Sequence, residues 1–289
     1  MNGDKERNGA IGITIISSLM LGSSYVAIKL GVGAYDPFYL SAAAMAMGVL
    51  ACLIYMAWKG TLVRSMTNHK IFWIGSFLNT GVVACQYIGL TLTTASSGGL
   101  IIGSNVLFVT IMSIFILHEP LRMKRAVGLV LGFLGLITIT TKWDLGTVTG
   151  DVFVGDLFML LSAICIAIIV ILTPRAMKGL SFDQWTLSLH MFLPFTLLFV
   201  GLFVADQGSI GENALPLFLY IGLVCTTVPT MLWTKALPKI GVVTSATVLM
   251  LESTFSVLLS VVILNEALDA FVVVGALMTF AAIFLVADD

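Results

Sequence analysis

The chain has 289 residues, 59 % of them apolar and only 10 % charged, with a net charge of −1 and a mean hydropathy of +1.08. A soluble domain carries roughly 25 % charge, so an ordinary globular protein is excluded, and the near-neutral balance argues against a nucleic-acid binder. The apolar runs exceed the strands of about ten residues found in outer-membrane barrels. That leaves an all-α integral membrane protein.

Ten apolar runs follow in order: 10–32, 37–58, 71–91, 95–117, 126–141, 152–174, 184–204, 214–236, 241–264 and 268–287. Each is near the ~20 residues a membrane span needs. The first has some look of a signal peptide, but further spans follow it directly, so it reads as the first helix. Asp36-Pro37 opens the second run as a helix start, and Asp183 is expected to cap the seventh. The stretch Ile71–Leu117 carries no charge at all. As one helix it would be about 70 Å long, more than twice the bilayer core. It therefore folds back at Thr91-Leu92-Thr93-Thr94 and ends at His118-Glu119-Pro120. Pro229 lies inside the eighth run, where a missing N–H predicts a kink. Cys52, Cys85, Cys165 and Cys225 all sit inside apolar runs without metal or redox spacing, as small buried hydrophobes do.

Charge sets an orientation. With the N-terminus in the cytoplasm, twelve of the fourteen basic residues fall on the inner side; Lys142 falls outside and Lys29 lies within the first span. This bias puts both termini in the cytoplasm.

The chain also repeats itself. Shifted by 147 positions, Gly75 matches Gly222, Thr80 Thr227, Ser113 Ser260, Glu119 Glu266, Gly128 Gly275 and Phe133 Phe280. The unit is five spans, an odd number, so the second copy runs opposite to the first across the membrane. The expected architecture is ten transmembrane helices in two inverted-topology five-helix repeats, 1–145 and 146–289. Such halves exchange inward-open and outward-open arrangements, which points to a carrier.

Three passages carry a family resemblance. Leu21-Gly22-Ser23-Ser24-Tyr25-Val26-Ala27-Ile28-Lys29 resembles a helix-1 stretch that usually opens on tryptophan and ends in lysine. Leu117-His118-Glu119-Pro120-Leu121 and Leu264-Asn265-Glu266-Ala267-Leu268 resemble an acidic motif closing each half. Leu251-Glu252-Ser253-Thr254-Phe255 resembles a glutamate-proline segment of helix 9, with Ser253 in place of proline. Together they resemble the drug/metabolite transporter superfamily and its EamA-type ten-helix members. The resemblance implies carriage of amino acids, other metabolites or toxic compounds, mostly outward.

Candidate site residues follow from charge and depth. Glu252 is the sole charge of 241–264, and a charge at mid-bilayer costs about 3 kcal/mol on insertion scales. It should face a cavity and serve a proton or a cation; the alternative is a structural acid bonded across two helices. Asn105 is its repeat mate, either facing the same cavity or acting as an interhelical bond. Gln86 and Trp233 form a second repeat pair, and Trp233 with Tyr87 offers an aromatic wall for a cation, or simple packing. Ser24 and Ser97, like Ser23 and Ser104, either hydrogen-bond a substrate or let helices approach. Lys29 either snorkels or lines an outer vestibule. Glu119 and Glu266 read as structural or gating residues whose carboxylates meet N–H groups of the helix that follows each. Gly128 and Gly132 form a G-x-x-x-G crossing face. His190 reads as a buried neutral histidine.

No H-E-x-x-H, phosphate-loop or G-x-S-x-G pattern is present, so neither enzyme chemistry, cofactor nor metal is expected. The expected function is a secondary transporter of small metabolites in a prokaryotic cytoplasmic membrane, as monomer or homodimer among membrane lipids, with a coupled proton as an option. The alternative is a non-transporting interaction or lipid-handling protein, which predicts no continuous polar cavity.

Overall fold

A computed structural model of the chain describes residues 2–116, 123–143, 150–204, 214–240, 245, 248–249 and 251–287. Most of these are helical, joined by short turns, without strands among the described residues. The helices are α1 (Asn2–Val32), α2 (Pro37–Lys59), α3 (Lys70–Leu92), α4 (Ala95–Gly103), α5 (Asn105–Ile116), α6 (Met123–Thr141), α7 (Asp151–Ala176), α8 (Phe182–Met191), α9 (Leu193–Val204), α10 (Ala214–Leu219), α11 (Val228–Ile240), α12 (Leu251–Leu264) and α13 (Ala270–Ala287). Six helical stretches are long and apolar enough to cross a membrane, with three shorter apolar helices beside them.

Helix ends follow local chemistry. Asp36 accepts from the N–H groups of Phe38 and Tyr39 at 2.9 and 3.4 Å, capping α2 as expected. Gly60 closes α2 with φ +71°, a left-handed conformation that glycine adopts without a Cβ penalty. At α8 the expectation fails. Ser181, not Asp183, is the N-cap, in a reciprocal capping box with Gln184. Asp183 sits one step inside the first turn, 1 % exposed, and meets Lys59 at 3.1 Å. The S-x-x-Q pattern outcompetes an isolated aspartate because it satisfies two orphan N–H donors at once.

Two expected spans are broken helices. α4 ends at Ser104, whose hydroxyl donates to the Ile101 carbonyl at 2.5 Å, and α5 restarts at Asn105. α8 and α9 are separated at Phe192, where Pro194 has no N–H to continue the ladder. The proline of the eighth run acts similarly. Tyr220–Thr227 is π-helical and ends two residues before Pro229, and the Ser17 hydroxyl donates to the Pro229 carbonyl at 2.5 Å.

The helices cross closely at small residues. α3 packs along α7, and α1 along α11. α4 and α5 pack on α7, and α12 on α1. α6 lies on α13, α2 on α9, and α4 on α12. At the α6–α13 crossing a Cβ on Gly135 would stand 2.8 Å from the Gly275 carbonyl oxygen, and one on Gly132 would meet Leu107 and Ala282. The crossing thus uses Gly132 and Gly135 against Gly275. At the α1–α12 crossing a Cβ on Gly22 would stand 2.6 Å from the Glu252 carbonyl oxygen. That close approach positions the site.

Candidate central cavity

A cavity of roughly 150 Å³ lies where α1, α3, α5, α7, α8, α11 and α12 converge. Gly22 lets α1 lie directly on α12. Tyr25, nearly one turn further along α1, therefore reaches across: its hydroxyl donates to Glu252 Oε1 at 2.6 Å. Glu252 is partly exposed to the cavity and makes no ion pair among the described residues. Its neighbour Ser253 uses its hydroxyl on the Gly99 carbonyl of α4 at 2.8 Å, and Ser256 bonds the Ala95 carbonyl at 3.1 Å. These bonds pin α12 from its other side.

The structure brings six candidates into this one wall: Glu252, Asn105, Gln86, Tyr87, Trp233 and Ser24. The Tyr87 hydroxyl is buried and has no hydrogen-bond partner among the described residues. Trp233 Nε1 donates to Ser245 Oγ at 2.7 Å, which leaves its ring as cavity lining. Buried polar groups are normally satisfied by protein or water, so an orphan hydroxyl turned into a cavity marks a place for a ligand or water.

Other lining groups escaped the sequence reading. Tyr25 had no signal beyond its place in the helix-1 motif. Asn79 lines the cavity and donates from Nδ2 to the Leu189 carbonyl at 2.8 Å. His190 is 3 % exposed, as expected of a buried histidine, yet it also lines the cavity. Its Nδ1 lies 2.8 Å from the Thr186 carbonyl, an atom that only accepts, so Nδ1 carries the proton. In the neutral ring Nε2 is then an acceptor. Among the described residues neither lysine nor arginine lines the cavity, and the one acidic side chain that does is Glu252.

Lys29 and Ser97 are not part of this wall. Lys29 follows Ile28, a lining residue, but points about 100° away around α1. Its ammonium donates to the carbonyls of Leu90 and Thr93 at 2.8 and 2.6 Å, at the C-terminus of α3. Ser97 lies buried in the first turn of α4 and donates its N–H to the Thr94 hydroxyl at 3.1 Å. The α3–α4 turn is held from three sides. The Thr93 hydroxyl donates to Asp156 Oδ1 at 2.6 Å. Glu266 accepts from the Ala95 N–H at 2.9 Å, the Ser96 N–H at 3.0 Å and the Ser96 hydroxyl at 2.6 Å. Glu266 therefore caps α4 rather than the helix that follows it. Asn265, left-handed at φ +54°, ends α12 and turns the chain back. A cation at the C-terminus of α3 and an anion at the N-terminus of α4 both complement the helix dipoles. Glu119, with His118, lies outside the described residues.

Outside the spans, Lys142 pairs with Asp269 at 2.5 Å. Some burial works against ionisation of Asp269, but the ammonium and the Val272 N–H outweigh it and hold the carboxyl below its usual range.

Comparison with known proteins fits this geometry. The model of the EamA-like transporter family matches residues 8–141 and 153–287. An uncharacterized transporter of Archaeoglobus fulgidus is 22 % identical over 93 % of this chain and 94 % of its own length. The uncharacterized transporter YoaV of Bacillus subtilis is 23 % identical over 96 % and 94 %. A chloroplastic WAT1-related protein of Arabidopsis thaliana is 25 % identical over 92 % of this chain and 66 % of its own. A solved structure, described only as a crystal structure of protein, superposes with a TM-score of 0.69 over 96 % of both chains at 16 % identity, a likeness of fold alone. The chain is a multi-pass membrane protein and belongs to the EamA-like transporter family.

Proposed function

We propose that this protein is a secondary transporter of the cytoplasmic membrane that moves small amine-bearing metabolites, amino acids or organic cations, outward by alternating access. The observation that carries the reading is the central cavity: one carboxylate, an orphan tyrosine hydroxyl, three side-chain amides, a neutral histidine and aromatic walls, with no lysine or arginine among the described lining residues. An ammonium group is balanced by Glu252 and accommodated over the rings of Tyr87 and Trp233. A substrate carboxylate has only amide and hydroxyl donors, from Asn79, Gln86, Asn105 and Tyr87. The alternative, a lipid-handling or interaction protein without a polar cavity, has no comparable support.

The architecture we propose is ten spans in two inverted halves, 1–145 and 146–289, with both termini in the cytoplasm. Its support is the packing. Exchanging each helix for its mate turns the α3–α7 pair into α11–α1, and the α4/α5–α7 pairs into α12–α1. The repeat mates Gly75 and Gly222 also do equivalent work. A Cβ on Gly75 would strike Trp185 of α8, and one on Gly222 would strike the Ala44 backbone of α2. Halves related in this way rock about a shared site. Glu252, either protonated or paired with substrate, lets the loaded and empty carrier cross between states without a bare charge in the lipid.

Counterflow of labelled amines, amino acids and organic anions in proteoliposomes tests the function. Uptake of an amine-bearing compound that Glu252→Gln abolishes is expected. Movement of anions alone, or transport unchanged in Glu252→Gln, would overturn it. A rate unaffected by an imposed pH gradient removes the proton.

A further inference from the structure

A second space lies outside the central cavity. It is a lateral groove of roughly 450 Å³ between α2, the π-helical segment and α11, with Phe182 of α8 at one end. A single helical wall separates the two. Thr226, Thr230 and Trp233 face the cavity, while Thr227, Met231 and Lys235 face the groove. The groove is apolar along its length. From Leu223 to Lys235 it runs twelve residues, about 18 Å at 1.5 Å per residue, comparable to one leaflet of a ~30 Å bilayer core.

Its polar groups are few and unspent. The Thr227 hydroxyl is 2 % exposed and has no partner among the described residues. Thr226 takes the carbonyls of Ile221 and Gly222. Lys235 stands exposed at one end, without an ion pair or hydrogen bond among the described residues. Lys59 lies at the same end, its ammonium 4.7 Å from the Phe182 ring centroid and 5.4 Å from that of Tyr55, both groove residues. Asp183 neutralises Lys59 at 3.1 Å, which leaves Lys235 as the uncompensated charge among the described groove residues.

We propose that this groove is a binding site for an anionic phospholipid, with one acyl chain along the apolar face of α11 and the headgroup phosphate on Lys235. A zwitterionic headgroup brings its own cation and gains little from the lysine. One lysine near the surface is worth about a fivefold preference for an anionic lipid. The site does not depend on the transport reading, since it lies on the outer side of the cavity wall.

The test uses delipidated, detergent-purified protein. Its melting temperature is followed with added phosphatidylglycerol, phosphatidylcholine or soluble glycerol phosphate. Phosphatidylglycerol is expected to protect best, with half-saturation about fivefold below phosphatidylcholine, and glycerol phosphate not at all. Lys235→Gln should erase the difference between the lipids. Lys239→Gln should keep it, because Lys239 pairs with Glu6 at 3.7 Å and does not line the groove. Val228→Trp, which fills the groove, should lose protection by both lipids. Equal protection of the wild type by both lipids, protection by glycerol phosphate alone, or equal loss in Lys239→Gln would overturn the proposal.

Discussion

Replacing Glu266 by alanine should destabilise the protein through a helix to which Glu266 does not belong. The first three N–H groups of α4 are all accounted for: Ala95 and Ser96 donate to the Glu266 carboxylate, and Ser97 donates to Thr94. Removing the carboxylate strips two backbone donors and the Ser96 hydroxyl of their acceptor. Loss of a capping side chain costs about 0.5–2 kcal/mol, and loss of an anion at a partly buried helix N-terminus up to about 2 kcal/mol more. Because the three bonds share one carboxylate, they are not summed separately, and the total is about 1–4 kcal/mol. At roughly 2–4 °C per kcal/mol, the melting temperature should fall by roughly 2–15 °C in a fluorescence melt of the purified protein. Glu266→Gln retains an acceptor oxygen and should fall by less. Lys29→Met removes the two bonds to the other end of the same turn, so the double variant should lose less than the sum of the singles. A Glu266→Ala variant melting within about 1 °C of wild type, or strictly additive losses, would refute the idea that the two residues hold one turn.

Other outcomes follow from the same geometry. Tyr25→Phe removes a bond to a carboxylate worth about 1.5–3 kcal/mol, so substrate affinity in a binding assay should weaken roughly 10- to 100-fold while the fold persists. Tyr87→Phe removes a hydroxyl that the protein leaves unpartnered. The melting temperature should hold or rise, and binding of a substrate that uses the hydroxyl should weaken about fivefold. Gly22→Val would drive a side chain into the Glu252 carbonyl and Phe255, whereas Gly12 has open space around it. Gly22→Val should collapse the yield of monodisperse protein, and Gly12→Ala should not. Asp269, with its pKa lowered, contributes stability that is present above the unfolded value of about 3.9 and is lost as pH falls through its folded value. Wild type and Asp269→Asn should therefore differ by the same amount at pH 6 and pH 8, and converge only in acid.

Much of the chain was legible before any coordinates. Long uncharged runs cannot stay in water, and backbone polar groups in lipid must be satisfied within a helix, so composition alone determined a helical membrane protein. The fold-back at Thr91–Thr94 followed from length, since a helix through Ile71–Leu117 would overrun the bilayer. Glu252 drew attention because an isolated charge in lipid is costly, and its side chain does face the cavity. The break at Ser104 was not legible, because that apolar run carries no sign of where the ladder of hydrogen bonds is interrupted; the break at Phe192 carried one in Pro194, which no expectation used.

What only the tertiary structure decided is which groups share a neighbourhood. Tyr25 and Glu252 are separated by 227 positions and meet because a glycine lets two helices touch. Glu266 was expected to serve the helix after it, yet it caps one 170 positions earlier. Lys29 and Ser97 had the right chemistry for a binding site and face elsewhere, since one residue step rotates a side chain about 100° around its helix. Sequence reports burial and charge along one dimension; a cavity is made by helix faces whose rotation and crossing are set by packing against the rest of the bundle.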